Sequence, residues 1–178
     1  MKNFNLIIGL LFIITVAISC NMTPEFKEFK SEAGRFSINA PGDMKEQTQD
    51  VPSAAGNLKM VTHTADLGNR AFLVSYNDYP EDVNSIGAQE LLDEVQKGAV
   101  GGIGGTITSE KNIEMNGNPG KEYVANIVIP KGGGDGVAKS HIYLVKNRLY
   151  QVLVIAKKSE ANSSDVDKFL NSFKITAN

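Results

Sequence analysis

Apolar and polar residues alternate along most of the chain after residue 35, and a two-residue period of this kind predicts β-strands. A short strand over residues 35–40 ends at the turn pair Pro41-Gly42. Three hairpins follow this strand along the chain. Their predicted strands are residues 58–66 with 71–77, residues 106–115 with 122–129, and residues 137–146 with 149–156.

The last of these strands, residues 149–156, is apolar on both of its faces. One face carries Leu149, Leu153 and Ile155, and the other carries Tyr150, Val152 and Val154. A strand that is apolar on both faces must be covered on both sides. The pattern therefore predicts a sheet that lies between two other layers.

Two segments with helical periodicity are available to cover the sheet. Between Ser85 and Val100, apolar residues recur every three or four positions, with charged residues between them. A second apolar stripe near the C-terminus follows Ser164, which is predicted to cap the helix with Asp167 in the capping-box position. Because strands and helices do not alternate strictly, the prediction is an α+β fold. Its mainly antiparallel sheet of about six to seven strands is sandwiched between helices.

The first twenty residues have the pattern of an export signal. Lys2 precedes an apolar run over residues 6–18, which as a helix would span about 20 Å and fall short of the roughly 30 Å hydrocarbon core. The small residues Ala17 and Ser19 then precede Cys20, as at a signal-peptidase site. We expect a signal peptide rather than a transmembrane anchor.

Cys20 is the only cysteine of the chain, and its position resembles the lipobox of bacterial lipoproteins. The resemblance implies that acyl groups are attached to the Cys20 thiol and to the new α-amino group. Two or three acyl chains, at about 0.8 kcal/mol per buried CH₂, would hold the protein on a membrane. The alternative is an ordinary signal peptide that leaves a free thiol. Since Asn21 is not the Asp of an inner-membrane retention signal, the choice of membrane stays open.

These signals divide the chain into three parts. Residues 1–19 are predicted to be a lipoprotein signal peptide, residues 20–30 a lipid-anchored tether, and residues 31–178 one domain. A chain of this length can bury a sizeable core, at about 70% of its unfolded surface.

The order of elements and several local motifs resemble the PsbP/Mog-like superfamily. The motifs are residues 34–38 with Pro41-Gly42, residues 76–80, 117–122 and 148–151, and the closing residues 169–173. The resemblance implies a single domain with an antiparallel sheet between helical layers. Members serve as extrinsic photosystem subunits, as Ran-GTPase-binding proteins and as bacterial lipoproteins, and the leader favours the last group. The motifs are structural, so they assign no catalytic residue.

Composition and charge exclude several classes of function. Eighteen Lys and Arg against twenty Asp and Glu give no basic field, so nucleic-acid binding is not expected. The glycine clusters lack the spacing of a phosphate-binding loop, and no cofactor is expected.

Histidine chemistry is limited to His63 and His141. Each is predicted to be a partly buried, hydrogen-bonded strand residue, because each has apolar neighbours on its own strand face. A zinc site requires three or four ligands, which the chain does not readily supply. A hydrolase with an unrecognised site stays open as a further alternative.

A weak calcium loop is a second candidate site. Asp78, Glu81 and Asp82 flank Pro80 within one loop, and Ca²⁺ prefers such oxygen ligands. Their spacing differs from that of an EF-hand, and the alternative is a solvated acidic loop.

The function that these observations favour is that of a non-enzymatic binding or assembly module. It would be anchored through acylated Cys20 to membrane lipid in a bacterial cell envelope, facing the periplasm or the outside. It would act through contacts with an envelope protein whose identity the sequence does not give. The alternative is a lipoprotein that binds a small molecule or lipid in a cleft between sheet and helix.

Overall fold

The computed structural model describes residues 24–53, 56–80, 87–130 and 133–176. The first five strands in these residues are β1 (Phe26–Ser31), β2 (Phe36–Pro41), β3 (Lys45–Ser53), β4 (Gly56–Asp66) and β5 (Arg70–Asp78). The chain continues with α1 (Ala88–Gly102), β6 (Thr106–Met115), β7 (Asn118–Ile129), β8 (Gly134–Val145) and β9 (Arg148–Lys157). It closes with α2 (Ser164–Ser172) and β10 (Lys174–Ile175).

The strands form two antiparallel sheets. The larger one has seven strands in the order β3-β4-β5-β9-β8-β7-β6, and the smaller one has the order β1-β2-β10. The pairs β4–β5, β6–β7 and β8–β9 are the three predicted hairpins, which are thereby confirmed. The fold is α+β with most of its ordered residues in sheet, as the period-two pattern predicts.

One face of the large sheet is covered by the small sheet together with α2. Phe36 and Ile38 on β2, Phe72 on β5, Val152 on β9 and Phe169 on α2 belong to one core cluster and are at most 1% exposed. Helix α2 contacts both β2 and β9. This layer is therefore a helix and a second sheet, where the sequence predicted helices alone.

The opposite face is covered by α1 over only part of its width. Leu91, Leu92 and Val100 of the helix pack in one cluster with Tyr123 on β7 and Ile142 on β8. Helix α1 contacts β6, β7 and β8. Among the described residues no helix is long and apolar enough to cross a membrane.

The predicted sandwich is correct for one face of β9 and only partly correct for the other. Val152 and Val154 are at most 1% exposed, but Leu153 and Ile155 on the opposite face are only partly buried. Leu153 instead lines an open groove on β3, β4, β5 and β9. The apolar pattern could not distinguish a strand under a helix from one beside it.

A buried polar network fixes α1 against the sheet. The side chain of Lys121 on β7 is 7% exposed and forms an ion pair with Asp93 of α1. Its ammonium group also donates a hydrogen bond of 3.4 Å to Gln96, whose amide donates one of 2.6 Å to Glu110 on β6. Because an unpaired lysine in this position would be costly, the network sets where the helix lies.

The start of α2 differs from the sequence prediction. Ser163 occupies the N-cap position, and it makes no side-chain capping hydrogen bond. Its hydroxyl instead accepts a hydrogen bond of 2.8 Å from Arg70, which also lies 3.2 Å from the Asp165 carboxylate. The predicted capping box on Ser164 and Asp167 is therefore wrong, because a strand arginine supplies the contacts at this helix end.

Helix α1 covers only part of one face of the large sheet. Two Leu→Ala substitutions on that face should therefore lower the free energy of unfolding by different amounts. Leu92 in α1 is fully buried, so Leu92→Ala should lower the free energy of unfolding by about 2–5 kcal/mol. Leu153→Ala should cost less than about 1.5 kcal/mol, because the loss scales with the apolar area that the side chain buries. Urea unfolding of both variants measures the difference. Equal losses would mean that β9 is covered on both faces.

Candidate functional site

An open cavity lies at the end of the large sheet where β5 and β8 end and β9 begins. We call it the end cavity; its volume is about 490 Å³. The turn between β1 and β2, the turn between β8 and β9, and the end of β10 surround it. Its lining residues are Arg35, Asp78, Val145, Lys146, Asn147, Arg148, Tyr150, Ile175 and Thr176.

Arg148 connects the segments that surround the end cavity. Its Nε and Nη2 donate to the two carboxylate oxygens of Asp78 at 2.6 and 2.7 Å, and its Nη1 donates to the Ala33 carbonyl oxygen at 2.8 Å. The guanidinium carbon lies 4.9 Å from the centre of the Tyr76 ring. Hydrogen bonds from Arg148 hold the pKa of Asp78 below its ordinary value, and the same pairing raises the pKa of Arg148.

The turn between β1 and β2 is fixed by its backbone. Tyr150 donates its hydroxyl proton to the Gly34 carbonyl oxygen at 2.8 Å, and Thr176 N–H donates to the Arg35 carbonyl oxygen at 2.9 Å. A Cβ on Gly34 would lie 2.6 Å from a ring carbon of Phe36 and 2.7 Å from Ser31 Oγ. Only glycine therefore allows the turn to approach the core so closely.

The turn between β8 and β9 is fixed by Asn147. Its side-chain amide donates to the Tyr79 carbonyl oxygen, and its own carbonyl oxygen accepts from Tyr79 N–H, both at 2.8 Å. This pair of hydrogen bonds attaches the turn to the chain that leaves β5. The rim of the end cavity is thus built from segments that are tied together.

Arg35 and Lys146 are the two exposed cations of this rim. Their backbones lie in the left-handed region, with φ of 54° and 56°, which residues other than glycine and asparagine rarely adopt. Neither side chain forms a hydrogen bond or ion pair with the described residues. Since Asp78 is bound to Arg148, these two cations are left to set the potential of the cavity.

Burial raises the pKa of Tyr150 at the base of the cavity, and the charges of Arg148 and Arg35 oppose this effect. The charge of Arg35 also contributes to the lowered pKa of Asp78. Arg35 lines the same cavity as these groups, although its side chain makes no direct bond to them.

At Asp78, one of the three predicted calcium ligands, the Arg148 guanidinium already occupies the position of a cation. Both carboxylate oxygens of Asp78 accept hydrogen bonds from Arg148, which leaves them poorly placed for a metal ion. Glu81 and Asp82 lie outside the described residues, and so does Cys20. Within the described part of the chain, no three metal-binding side chains are grouped. The loop as a whole stays a prediction.

His63 is buried beneath aromatic rings. Its ring centre lies 4.9, 5.6 and 6.3 Å from those of Phe29, Phe36 and Tyr76. The predicted burial is confirmed, but Nε2 has no hydrogen-bond partner and lies 3.8 Å from the Glu46 carboxylate. Burial lowers the pKa of His63, with Glu46 acting in the opposite direction.

His141 belongs to a separate polar cavity of about 290 Å³ between the sheet and α2. Its Nε2 lies 3.2 Å from a Glu122 carboxylate oxygen, which is also 3.1 Å from Lys111 Nζ. Burial lowers the pKa of His141 and Glu122 opposes the shift. The pairing follows from register, because Glu122 lies directly opposite His141 across β7 and β8.

Comparisons with known proteins bear on the fold. A scan against protein-family models found no match, and neither did a search of curated protein sequences. The solution structure of cyanobacterial PsbP (CyanoP) from Synechocystis matches with a TM-score of 0.56 and 11% identity, over 86% of this chain and 94% of that one. The fold is PsbP/Mog-like. The resemblance that the sequence motifs indicate is confirmed at this level.

Two further solved structures are similar to this chain to a lesser degree. A protein from Bacteroides thetaiotaomicron matches with a TM-score of 0.50 and 13% identity, over 85% of this chain and 48% of that one. The Ran-binding protein Mog1p of Saccharomyces cerevisiae matches with a TM-score of 0.49 and 10% identity, over 86% and 96%. At these identities the likeness concerns the fold alone.

The Arg148–Asp78 pair predicts a loss of stability in acid. Because Arg148 lowers the Asp78 pKa in the folded protein, the ionised carboxylate stabilises the fold above the ordinary carboxyl pKa, near 4. This contribution disappears as the pH falls through the lowered pKa. We expect Asp78→Asn to lower the free energy of unfolding at about pH 7 and much less at about pH 2.

Urea unfolding at both pH values measures this effect. The control is Asp50→Asn on β3, an exposed strand at the edge of the sheet, which should change stability little at either pH. A deficit of Asp78→Asn that acid leaves unchanged would contradict the pairing.

The left-handed backbone at Lys146 predicts that a glycine there stabilises the fold. Relief of the steric conflict outweighs the extra freedom of glycine in the unfolded chain, so Lys146→Gly should raise the free energy of unfolding by about 0.5–1 kcal/mol. The control is Lys157→Gly within β9, which should lower it. Thermal and urea unfolding measure both changes. Destabilisation by Lys146→Gly would mean that the lysine side chain stabilises the turn.

Proposed function

We propose that the protein is a non-enzymatic binding module, held at a membrane of a bacterial cell envelope by acyl groups on Cys20. It acts through protein contacts made at the end cavity. The observation that carries this proposal is the rim of that cavity, where Arg35 and Lys146 are exposed on turns that hydrogen bonds hold in place. A rigid rim with unpaired charged groups binds a partner with a small loss of conformational entropy.

The path of the chain supports access to the end cavity from the aqueous side. Strand β1 carries the chain from Phe26 to the turn that forms the cavity rim, a distance of roughly 20 Å. The cavity therefore lies at the far end of β1 from the point where a tether from Cys20 would join the domain. An anchor at Cys20 would leave the cavity free to meet another protein.

The two histidines support a non-enzymatic function. The His63 side chain is 3% exposed under Phe29 and Phe36, so a substrate cannot reach it without opening the core. His141 is paired with Glu122, and the nearby Ser140 hydroxyl lies on the opposite face of β8, where it accepts a hydrogen bond from Gln151. These contacts serve packing and pairing better than proton transfer to a substrate.

A second candidate function is the binding of a small neutral molecule. The groove beside α1 has a volume of about 290 Å³ and an uncharged lining. Its residues are Gln47, Gln49, Met60, Thr62, Thr64, Leu73, Ser75, Gln151 and Leu153. Amide, hydroxyl and short apolar groups of this kind can orient a ligand of mixed polarity. Thermal stabilisation by a ligand that is lost in Thr62→Arg would favour this function.

A photo-crosslinking amino acid at Thr176, which is exposed and lines the end cavity, tests the main proposal in cells and leaves Arg35 and Lys146 in place. We expect ultraviolet light to give one discrete adduct with another protein, and we expect it in the membrane fraction. Cys20→Ala should move the protein out of that fraction and remove the adduct, because the acyl groups that concentrate both partners at the membrane are lost.

The matched control carries the same crosslinking amino acid at Lys157, which is exposed at the other end of β9. It should give no discrete adduct. Unchanged sedimentation of Cys20→Ala would overturn the anchor, and equal adducts at both positions would overturn the end cavity as the contact surface.

A further inference from the structure

The end cavity holds an excess of positive charge. Its lining contains Arg35, Lys146 and Arg148 against the single carboxylate of Asp78. Arg148 uses three of its five N–H groups on Asp78 and the Ala33 carbonyl oxygen, and the Asp78 carboxylate balances its charge. Arg35 and Lys146 therefore supply the charge that an occupant would meet.

These two like charges repel each other across the mouth of one cavity, and no carboxylate among the described residues lies within ion-pair distance of either. An anion placed between them would remove this repulsion and add charge-assisted hydrogen bonds. The charge and the shape of the site thus select a ligand of opposite sign.

We propose that the end cavity recognises carboxylates of an acidic peptide segment, held between the Arg35 guanidinium and the Lys146 ammonium group. The inference deepens the proposed function and rests on it for the assumption that the occupant belongs to a protein. It names the chemical class of the partner surface.

The apolar part of the lining favours a peptide over a bare inorganic anion. Val145, Ile175 and the Tyr150 ring lie in the same cavity as the cations. A volume of about 490 Å³ is in the range of pockets that hold organic ligands, and it is more than one small oxyanion fills. A carboxylate on a hydrocarbon side chain satisfies the charge and covers these apolar groups together.

The backbone of the site is prepared for this contact. Arg35 and Lys146 each begin from a left-handed residue on a turn that hydrogen bonds fix to β9 or to Tyr79. Their Cα positions are therefore set before a ligand arrives, and only the side-chain rotamers remain to be ordered. A bidentate arginine contact is well suited to a planar carboxylate.

A titration with two synthetic peptides tests the inference. The probe is a fluorescently labelled peptide of alternating Glu and Leu with both ends blocked, and the control peptide has Gln in place of every Glu. The protein is used as cells produce it, purified in a mild non-ionic detergent. We expect the Glu peptide to bind and the Gln peptide to bind at least about tenfold more weakly, with affinity falling as salt rises.

Variants of the protein locate the contact. Arg35→Gln and Lys146→Asn should each weaken binding of the Glu peptide by roughly tenfold. Asn tolerates the left-handed backbone at residue 146, so this variant removes the charge without strain. Lys157→Gln removes the same charge about 30 Å away along β9 and should leave binding unchanged. Melting temperatures confirm that each variant is folded.

Four outcomes would overturn the inference. They are equal binding of the two peptides, equal weakening by Lys157→Gln and Lys146→Asn, displacement of the peptide by equimolar inorganic phosphate, and binding to anionic phospholipid vesicles without binding to the peptide. A discrete crosslink at Thr176 with no affinity for the Glu peptide would leave the proposed function in place and remove the carboxylate specificity. Binding of the Glu peptide without that crosslink would support the carboxylate specificity and contradict the proposed protein contact in cells.

Discussion

The three hydrogen bonds of Arg148 connect β5 and β9 of the large sheet with the turn between β1 and β2 of the small one. Arg148 is the first residue of β9, the middle strand of the large sheet, and it pairs in register with Asp78 at the end of β5. Its Nη1 donates to the Ala33 carbonyl oxygen in the turn between β1 and β2, so one side chain joins the large sheet to the small one. The planar guanidinium fork makes two parallel bonds to a carboxylate and a third elsewhere, which a lysine could not do.

The pairing of Arg148 with Asp78 determines which charges of the end cavity are left unpaired. Arg148 and Asp78 form a pair with no net charge at the base of the cavity. The other two cations of the lining, Arg35 and Lys146, lie at its rim. Arg35 continues directly from the turn that Arg148 holds, and Lys146 lies two residues before Arg148 in the adjoining turn. The bonds that join the two sheets therefore also position the groups that are free to meet a ligand.

The alternation of apolar and polar residues predicted the hairpins of the large sheet because their strands contribute side chains to a core. The pattern did not predict β1, β3 and the two-residue β10. In β3 the first six residues are all polar, and the strand is held at the sheet edge by backbone pairing with β4. In β1, Phe26 and Phe29 pack on the core but stand among charged residues, so part of the segment predicted as a tether belongs to the folded domain. An edge strand can be held with few buried side chains, and the period-two pattern is then weak, as it is in β1 and β3.

The candidate site could not be predicted from the sequence for a related reason. Asp78 could be singled out as one of several carboxylates in a loop, but its partner lies 70 residues away and is set by the register of β5 against β9. The left-handed backbones of Arg35 and Lys146 leave no mark in the sequence, since such positions usually carry glycine or asparagine. A turn that keeps a long cationic side chain where glycine would be less strained has a physical cost, and the proposed contact with an acidic partner would offset it.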